Sequence, residues 1–200
     1  TVAELNALNT LLGAKIPSSI PVTDTAANLV TGVGDATSLT NLGSAGTITV
    51  SDTPTFAQVV TINSASGISE IAAAEIVDTA TNAVAASTGS TEQKNVITDA
   101  SKITLSGTLS IAELDAIFEL TDSSTSGNSG DLARGTALLY NISDTATNVF
   151  SNSGLMEASG ATNTAQKATN LTVTDLITVA QALDANTKRS GLSTTTFFIE

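Results

Sequence analysis

Val50-Ser51-Asp52-Thr53-Pro54-Thr55-Phe56-Ala57-Gln58-Val59 joins the end of a β run to the start of a helix, and the same junction returns along the chain. Upstream, Thr47-Ile48-Thr49-Val50 alternates β-branched residues, which fit a pleated surface, so a strand is predicted over 47–51. Thr55 stands three residues before Gln58. At that spacing the hydroxyl accepts from an unpaired backbone N–H of the first turn while the longer side chain reaches back to the cap. A helix is therefore predicted over 55–64.

The same box occurs as Thr1-Val2-Ala3-Glu4, Ser110-Ile111-Ala112-Glu113 and Thr178-Val179-Ala180-Gln181, each opening an apolar periodic run. A second junction alternates with it: Val22-Thr23-Asp24-Thr25-Ala26-Ala27-Asn28, Ile76-Val77-Asp78-Thr79-Ala80-Thr81-Asn82 and Ile142-Ser143-Asp144-Thr145-Ala146-Thr147-Asn148. There an Asp follows the β run directly. Its carboxylate suits the N-cap of the helix that follows, at the positive end of the helix dipole.

Asp24, Asp52, Asp78, Gly107, Asp144 and Asp175 end successive β runs and lie 28, 26, 29, 37 and 31 residues apart in turn. A period of about 28 residues is in the range of solenoids. Strands joined by helical crossovers pair in parallel, with right-handed connections. The predicted fold is thus α/β: a right-handed β/α solenoid of strand–helix repeats with one parallel sheet, filling residues 1–200 as a single domain.

In order, helices are expected over 1–13, 25–30, 36–42, 55–64, 79–86, 91–100, 111–120, 145–150, 161–169 and 178–186. Strands are expected over 20–23, 47–51, 75–77, 103–105, 138–143, 171–174 and 194–199. The longest step holds a polar insertion, 121–130, with the sequence Thr-Asp-Ser-Ser-Thr-Ser-Gly-Asn-Ser-Gly. Insertions bulge from one face of a solenoid and are frequent binding places, although a passive surface loop costs little. Thr1 opens inside a cap motif with no strand before it, and 194–199 ends on a strand edge. Both features predict a segment excised from a longer array.

Composition narrows the function. Hydrophobic residues make up 41% of the 200, with five Phe, one Tyr and no Trp, so the core must be thin layers of Val, Ile, Leu and Ala. A formal charge of −12 with seven basic residues argues against nucleic acid and anionic lipid as partners, because phosphate binding needs Lys and Arg. The chain has no Cys and no His, which removes disulfides, thiolate chemistry and the usual general base. No apolar run approaches the ~18 residues of a membrane span.

Each constellation that resembles a site has a plainer explanation. Asp24, Asp52, Asp78, Asp144 and Asp175 could line one edge and bind Ca²⁺ between coils, as hard cations take oxygen ligands. Capping accounts for the same residues, Gly107 interrupts the series, and no Gly-Gly-x-Gly-x-Asp nonapeptide is present. Asn28, Asn82 and Asn148, four residues after their Asp, suit hydrogen bonds between coils or to the cap. A Ser–Lys pair finds no motif around Lys15, Lys94, Lys102, Lys167 or Lys188, and Glu113 and Asp115 point apart on one helix. Gly32-Val33-Gly34-Asp35 lacks the third Gly and the Lys of a phosphate loop and reads as a turn. Thr47 and Thr49 form one Thr-x-Thr, as on ice-binding faces, which the other strands do not continue.

At the Asp-Thr-Ala-x-Asn junctions the chain resembles the Asp-Thr-Ala-Ala-Asn repeats of very large secreted bacterial surface proteins, cyanobacterial ones above all, of the RTX-like, adhesin and S-layer kinds. The resemblance spans most of the chain. It implies export, an extracellular or cell-surface location and a structural or adhesive role, while the missing nonapeptide leaves calcium open. The reading that follows is a non-enzymatic structural repeat segment of a surface layer, filament or adhesin, whose partners are neighbouring repeats or copies of itself and a surface polysaccharide. The alternative is a carbohydrate-binding module or carbohydrate-active enzyme on the same scaffold, with the insertion as its rim.

Overall fold

The computed structural model describes residues 1–13, 19–68, 71, 75–118, 120, 137–150, 168–188 and 195–199. The polar insertion 121–130 and most of the helix expected over 161–169 lie outside the described residues. Helices, single or in pairs, separate most strands through the rest: α1 (Val2–Leu12), β1 (Ile20–Asp24), α2 (Ala26–Gly34), α3 (Ala36–Gly43), β2 (Ala45–Val50), α4 (Phe56–Asn63), β3 (Glu75–Thr79), α5 (Ala80–Ser87), α6 (Thr91–Asp99), β4 (Lys102–Ser106), α7 (Ile111–Phe118), β5 (Ala137–Leu139), β6 (Asn141–Asp144), α8 (Ala146–Val149), β7 (Asn170–Ile177), α9 (Val179–Lys188) and β8 (Thr195–Ile199).

The protein is thus a mixed α/β chain with small parallel sheets. All ladders among the described strands are parallel, as sequence alternation with helices requires. The expectation of one sheet needs correction. The described strands form three, in the orders β1-β2, β3-β4-β5 and β6-β7-β8. The first and second are joined by the Val77 N–H donating to Pro54 O at 3.1 Å, the second and third by a parallel bridge between Leu109 and Ile142. The breaks fall where the chain leaves β2 and β4 to enter α4 and α7. Pro54 has no N–H for a ladder, and Gly107 at φ 82 turns the backbone out of it. The expected strand over 138–143 is likewise two strands. Around the buried Tyr140, β5 pairs with β4 while β6 pairs with β7.

Period-two alternation decides which side chains enter the core. Val22, Ile48, Ile76, Ile103, Leu105, Ile142, Leu171 and Val173 are buried, and their strand neighbours Thr23, Thr49 and Val77 face outward. Helices cover the inner side with Leu29, Leu42, Ile62, Ile97, Leu114 and Ile117, all fully buried. The core is aliphatic, with Phe56 and Tyr140 as its buried aromatic residues among those described. Asp24, Asp78 and Asp144 stand two residues beyond Val22, Ile76 and Ile142. They share the inward face and are buried as well.

Helix starts follow their caps. The four predicted boxes form: Thr1 with Glu4, Thr55 with Gln58, Ser110 with Glu113 and Thr178 with Gln181. A fifth, Ser90 with Gln93, opens α6. Gly32-Val33-Gly34 is the end of α2 rather than a turn, and Asp35 caps α3 by accepting the Ser38 N–H at 2.8 Å. No helix of the described residues is long and apolar enough to cross a membrane.

Candidate functional site

Among the described residues the buried carboxylates are Asp24, Asp78 and Asp144, at or beside the ends of β1, β3 and β6, and their geometry differs from the N-cap predicted for them; Asp175, expected to end a strand, lies inside β7. The N-caps of α2, α5 and α8 are Thr25, Thr79 and Thr145, whose hydroxyls accept from the backbone N–H of Asn28, Asn82 and Asn148. Each Asp sits one residue earlier and turns its carboxylate to a different helix. The Val2 N–H donates to Asp24 Oδ2 at 2.9 Å, the Phe56 N–H to Asp78 Oδ2 at 2.9 Å and the Ile111 N–H to Asp144 Oδ2 at 2.8 Å. Val2, Phe56 and Ile111 are the first residues of the capping-box helices α1, α4 and α7. Thr therefore displaces Asp as local cap because the period-two pattern holds the Asp on the buried face, within reach of the neighbouring helix.

The other oxygen of each Asp fixes its own junction. Asp24 Oδ1 accepts from the Thr25 N–H at 2.9 Å and from Asn28 Nδ2 at 2.7 Å. Asp78 Oδ1 takes the Thr79 N–H and Asn82 Nδ2, both at 2.7 Å, and Asp144 Oδ1 takes the Thr145 N–H at 2.7 Å and Asn148 Nδ2 at 2.8 Å. The Asn at the fourth position thus donates to the carboxylate, which explains why the two residue types travel together. Three donors around a buried carboxylate satisfy a charge that would otherwise be strongly unfavourable there.

Asp52 and Asp175 reach back in the same sense, from capping-box junctions to Asp junctions. Asp52 Oδ1 accepts the Ala26 N–H at 2.8 Å, and Asp175 Oδ1 accepts the Ala146 N–H. Ala26 and Ala146 are the first residues of α2 and α8, so each capping-box junction returns a carboxylate to the Asp junction before it. At α5 the corresponding residue is Ala80, and Gly107 stands where the carboxylate would be. Its φ of 82 and open surroundings mark a local backbone turn: an added Cβ would meet only the Ala80 Cβ, at 3.9 Å.

Burial pushes the Asp24 carboxyl up, but hydrogen bonds from Asn28 Nδ2 and from the N–H groups of Val2 and Thr25, with the positive charge of the Thr1 ammonium, outweigh it. The group is held below its ordinary 3.8. Asp35, exposed at the start of α3, is lowered by the N–H and hydroxyl of Ser38.

The calcium candidates therefore stand as hydrogen-bond acceptors between junctions. Among the described residues no three His, Cys, Asp or Glu side chains gather as a metal-binding group. The remaining candidates resolve in the same way. Glu113 completes the Ser110 box, Lys102 pairs with Glu75 across β4 and β3, and Lys188 pairs with Asp184 at 3.2 Å one helical turn away. Thr49 pairs with Thr23 in the first sheet, while in the second Thr104 stands between Val77 and Leu139, so no Thr row continues there. A second polar cluster joins α1 to α3: Asn6 Nδ2 donates to Ser38 Oγ at 2.8 Å, and Asn41 Nδ2 to Asn6 Oδ1 at 2.7 Å. The sequence carried no spacing signal for it. No family model, no curated protein and no solved structure matches this chain.

Proposed function

We propose that the chain is a non-enzymatic structural repeat segment of a secreted cell-surface protein, a surface layer, filament or adhesin, in which right-handed β/α coils continue as a solenoid. One observation carries this reading: the same carboxylate-to-helix bond recurs at Asp24, Asp78 and Asp144, each time linking one junction to the helix of the one before. Such a bond depends on the neighbouring junction. It suits a body whose stability is the sum of nearest-neighbour contacts, as in repeat arrays. The acidic balance and the aliphatic core agree with a soluble exported scaffold.

The test is made on the parent cells. Antibody labelling of intact cells should find the chain outside, and deleting its gene should remove a lattice, a filament or attachment to a surface. A cytosolic location, or a surface unchanged by the deletion, would overturn the reading.

A further inference from the structure

We infer that the junction carboxylates are stops for the parallel ladders: each takes an N–H that would close one further rung and so turns the chain from strand into helix, and a junction without the carboxylate runs its ladder on. This conformational device goes beyond the structural role proposed above and does not depend on it. In a parallel ladder successive rungs use the N–H and C=O of every second residue on each strand. The donors of the next rung can therefore be named at the places where these ladders end.

On the side of β3 that faces α4, the Val77 N–H donates to Pro54 O at 3.1 Å. A further rung needs the Phe56 N–H to reach Val77 O and the Thr79 N–H to reach Phe56 O. Asp78 takes both donors, Phe56 on Oδ2 at 2.9 Å and Thr79 on Oδ1 at 2.7 Å. At β6 the preceding rung is complete. The Leu109 N–H donates to Asn141 O at 2.9 Å and Leu109 O accepts the Ser143 N–H at 3.0 Å, while the donors of the next rung, Ile111 and Thr145, both turn to Asp144. One carboxylate thus replaces one rung, its two oxygens standing for two carbonyls.

Asp52 and Asp175 act on the other side of the Asp strands, each with one oxygen. The Ser51 N–H donates to Asp24 O at 2.9 Å, so the next donor is the Ala26 N–H and its ladder acceptor is Ser51 O. It goes to Asp52 Oδ1 instead, at 2.8 Å. The Ala146 N–H likewise goes to Asp175 Oδ1 in place of Thr174 O.

Gly107 supplies the internal comparison. The β1–β2 ladder ends at Asp24 opposite Val50 and the β6–β7 ladder at Asp144 opposite Val173. The β3–β4 ladder, where Gly107 stands in the place of Asp52 and Asp175, passes the equivalent pair, Asp78 opposite Leu105, and adds Thr79 opposite Ser106. Of these three ladders, the one beside the glycine is longer by one position. That added pair uses the N–H of Ala80, the counterpart of Ala26 and Ala146. All three alanines are buried, so the N–H requires an acceptor; it takes a carboxylate where one is present and the strand carbonyl where none is.

NMR couplings across hydrogen bonds, between an amide nitrogen and the carbon of its acceptor, test this on the 200-residue chain and on the variants Asp52→Ala and Asp175→Ala. Both aspartates are exposed, so both variants should fold. In the parent chain Ala26 should couple to the Asp52 carboxyl carbon and Ala80 to the Ser106 carbonyl. In Asp52→Ala the Ala26 coupling should move to the Ser51 carbonyl with its amide still protected from exchange, and in Asp175→Ala the Ala146 coupling should move to the Thr174 carbonyl. A parent chain in which Ala80 does not couple to Ser106 would overturn the inference. So would an Ala26 amide that couples to nothing in Asp52→Ala and exchanges faster by about fivefold or more, the factor for one lost hydrogen bond, since the carboxylate would then be a cap and no stop. Failure of both variants to fold would overturn it as well, because removing a stop adds a rung and leaves the ladder before it intact.

Discussion

Asp78 accepts the N–H of Phe56 at 2.9 Å across 22 residues of sequence, capping a helix to which it does not belong. Its other oxygen is taken by Thr79 and Asn82, so both oxygens of a buried carboxylate are occupied by donors. Replacing Asp78 with Asn puts an NH₂ in place of one acceptor, facing an N–H that then has no partner. Asp78→Asn should lower the unfolding free energy by about 2–4 kcal/mol, the range for a broken, buried, charge-assisted contact. Urea titration of the variant checks it; a loss under about 0.5 kcal/mol, the size of ordinary surface changes, would mean that the contact is not formed in solution.

Asn82→Ala removes one donor and leaves the carboxylate with two. Its cost should be smaller, about 1 kcal/mol. The two substitutions touch the same oxygen, so the double variant should cost less than the sum of the singles, with a coupling of about 0.5–1.5 kcal/mol in a double-mutant cycle.

Gly107 interrupts the carboxylate series by conformation. Gly107→Ala meets no steric obstacle, with only the Ala80 Cβ at 3.9 Å, but must hold φ near 82. It should cost about 1 kcal/mol, and Gly107→Asn should cost less because Asn tolerates that region better. Gly46→Ala is a different case, since its Cβ would lie 2.7 Å from Ser19 O, backbone that cannot turn aside. The loss there should be the larger of the two in the same thermal melts.

What was legible in the sequence was the local chemistry. Thr55 and Gln58 announce a helix start because the box closes within four residues, and Ile76 and Asp78 share a face because strands alternate. The partner of Asp78 was not legible. Its nearest free N–H in sequence belongs to its own helix, and only the packing of β3 beside α4 brings Phe56 closer to the carboxylate. The break into three sheets was hidden for a related reason: Pro54 and Gly107 mark turns, but whether a ladder continues past a turn depends on the strand alongside. The Asn6–Ser38–Asn41 cluster has no periodicity at all, since its two bonds join residues of α1 and α3 that are 32 and 35 apart in sequence.

The pH dependence follows from Asp24. Its carboxyl is held below 3.8 in the folded chain, so the folded form binds its proton less readily than the unfolded one. The stability it supplies is complete above the unfolded value and is lost as pH falls through the lower folded value. With no His in the chain, nothing of that type titrates near neutrality. Chemical denaturation should give a nearly constant unfolding free energy from about pH 6 to 8 and a steep fall below about pH 4. Asp24→Asn should flatten part of that fall, and a fall beginning near pH 6 would contradict the assignment.

Calcium offers the sharpest contrast between the two roles considered for the Asp series. A calcium ion needs about six to eight oxygen ligands with lone pairs turned toward it. Asp24, Asp78 and Asp144 each have one oxygen facing a helix N–H and the other facing a backbone N–H and an Asn amide, so the hydrogens occupy the directions that a cation would use. Stripping the protein with a chelator and then adding millimolar Ca²⁺ should therefore move the melting midpoint by less than about 2 °C, the shift expected for well under 1 kcal/mol. A rise of about 10 °C or more, reversed by chelator, would show that the ion replaces these donors. In that case Asp78→Asn would abolish the calcium effect and not only the cap.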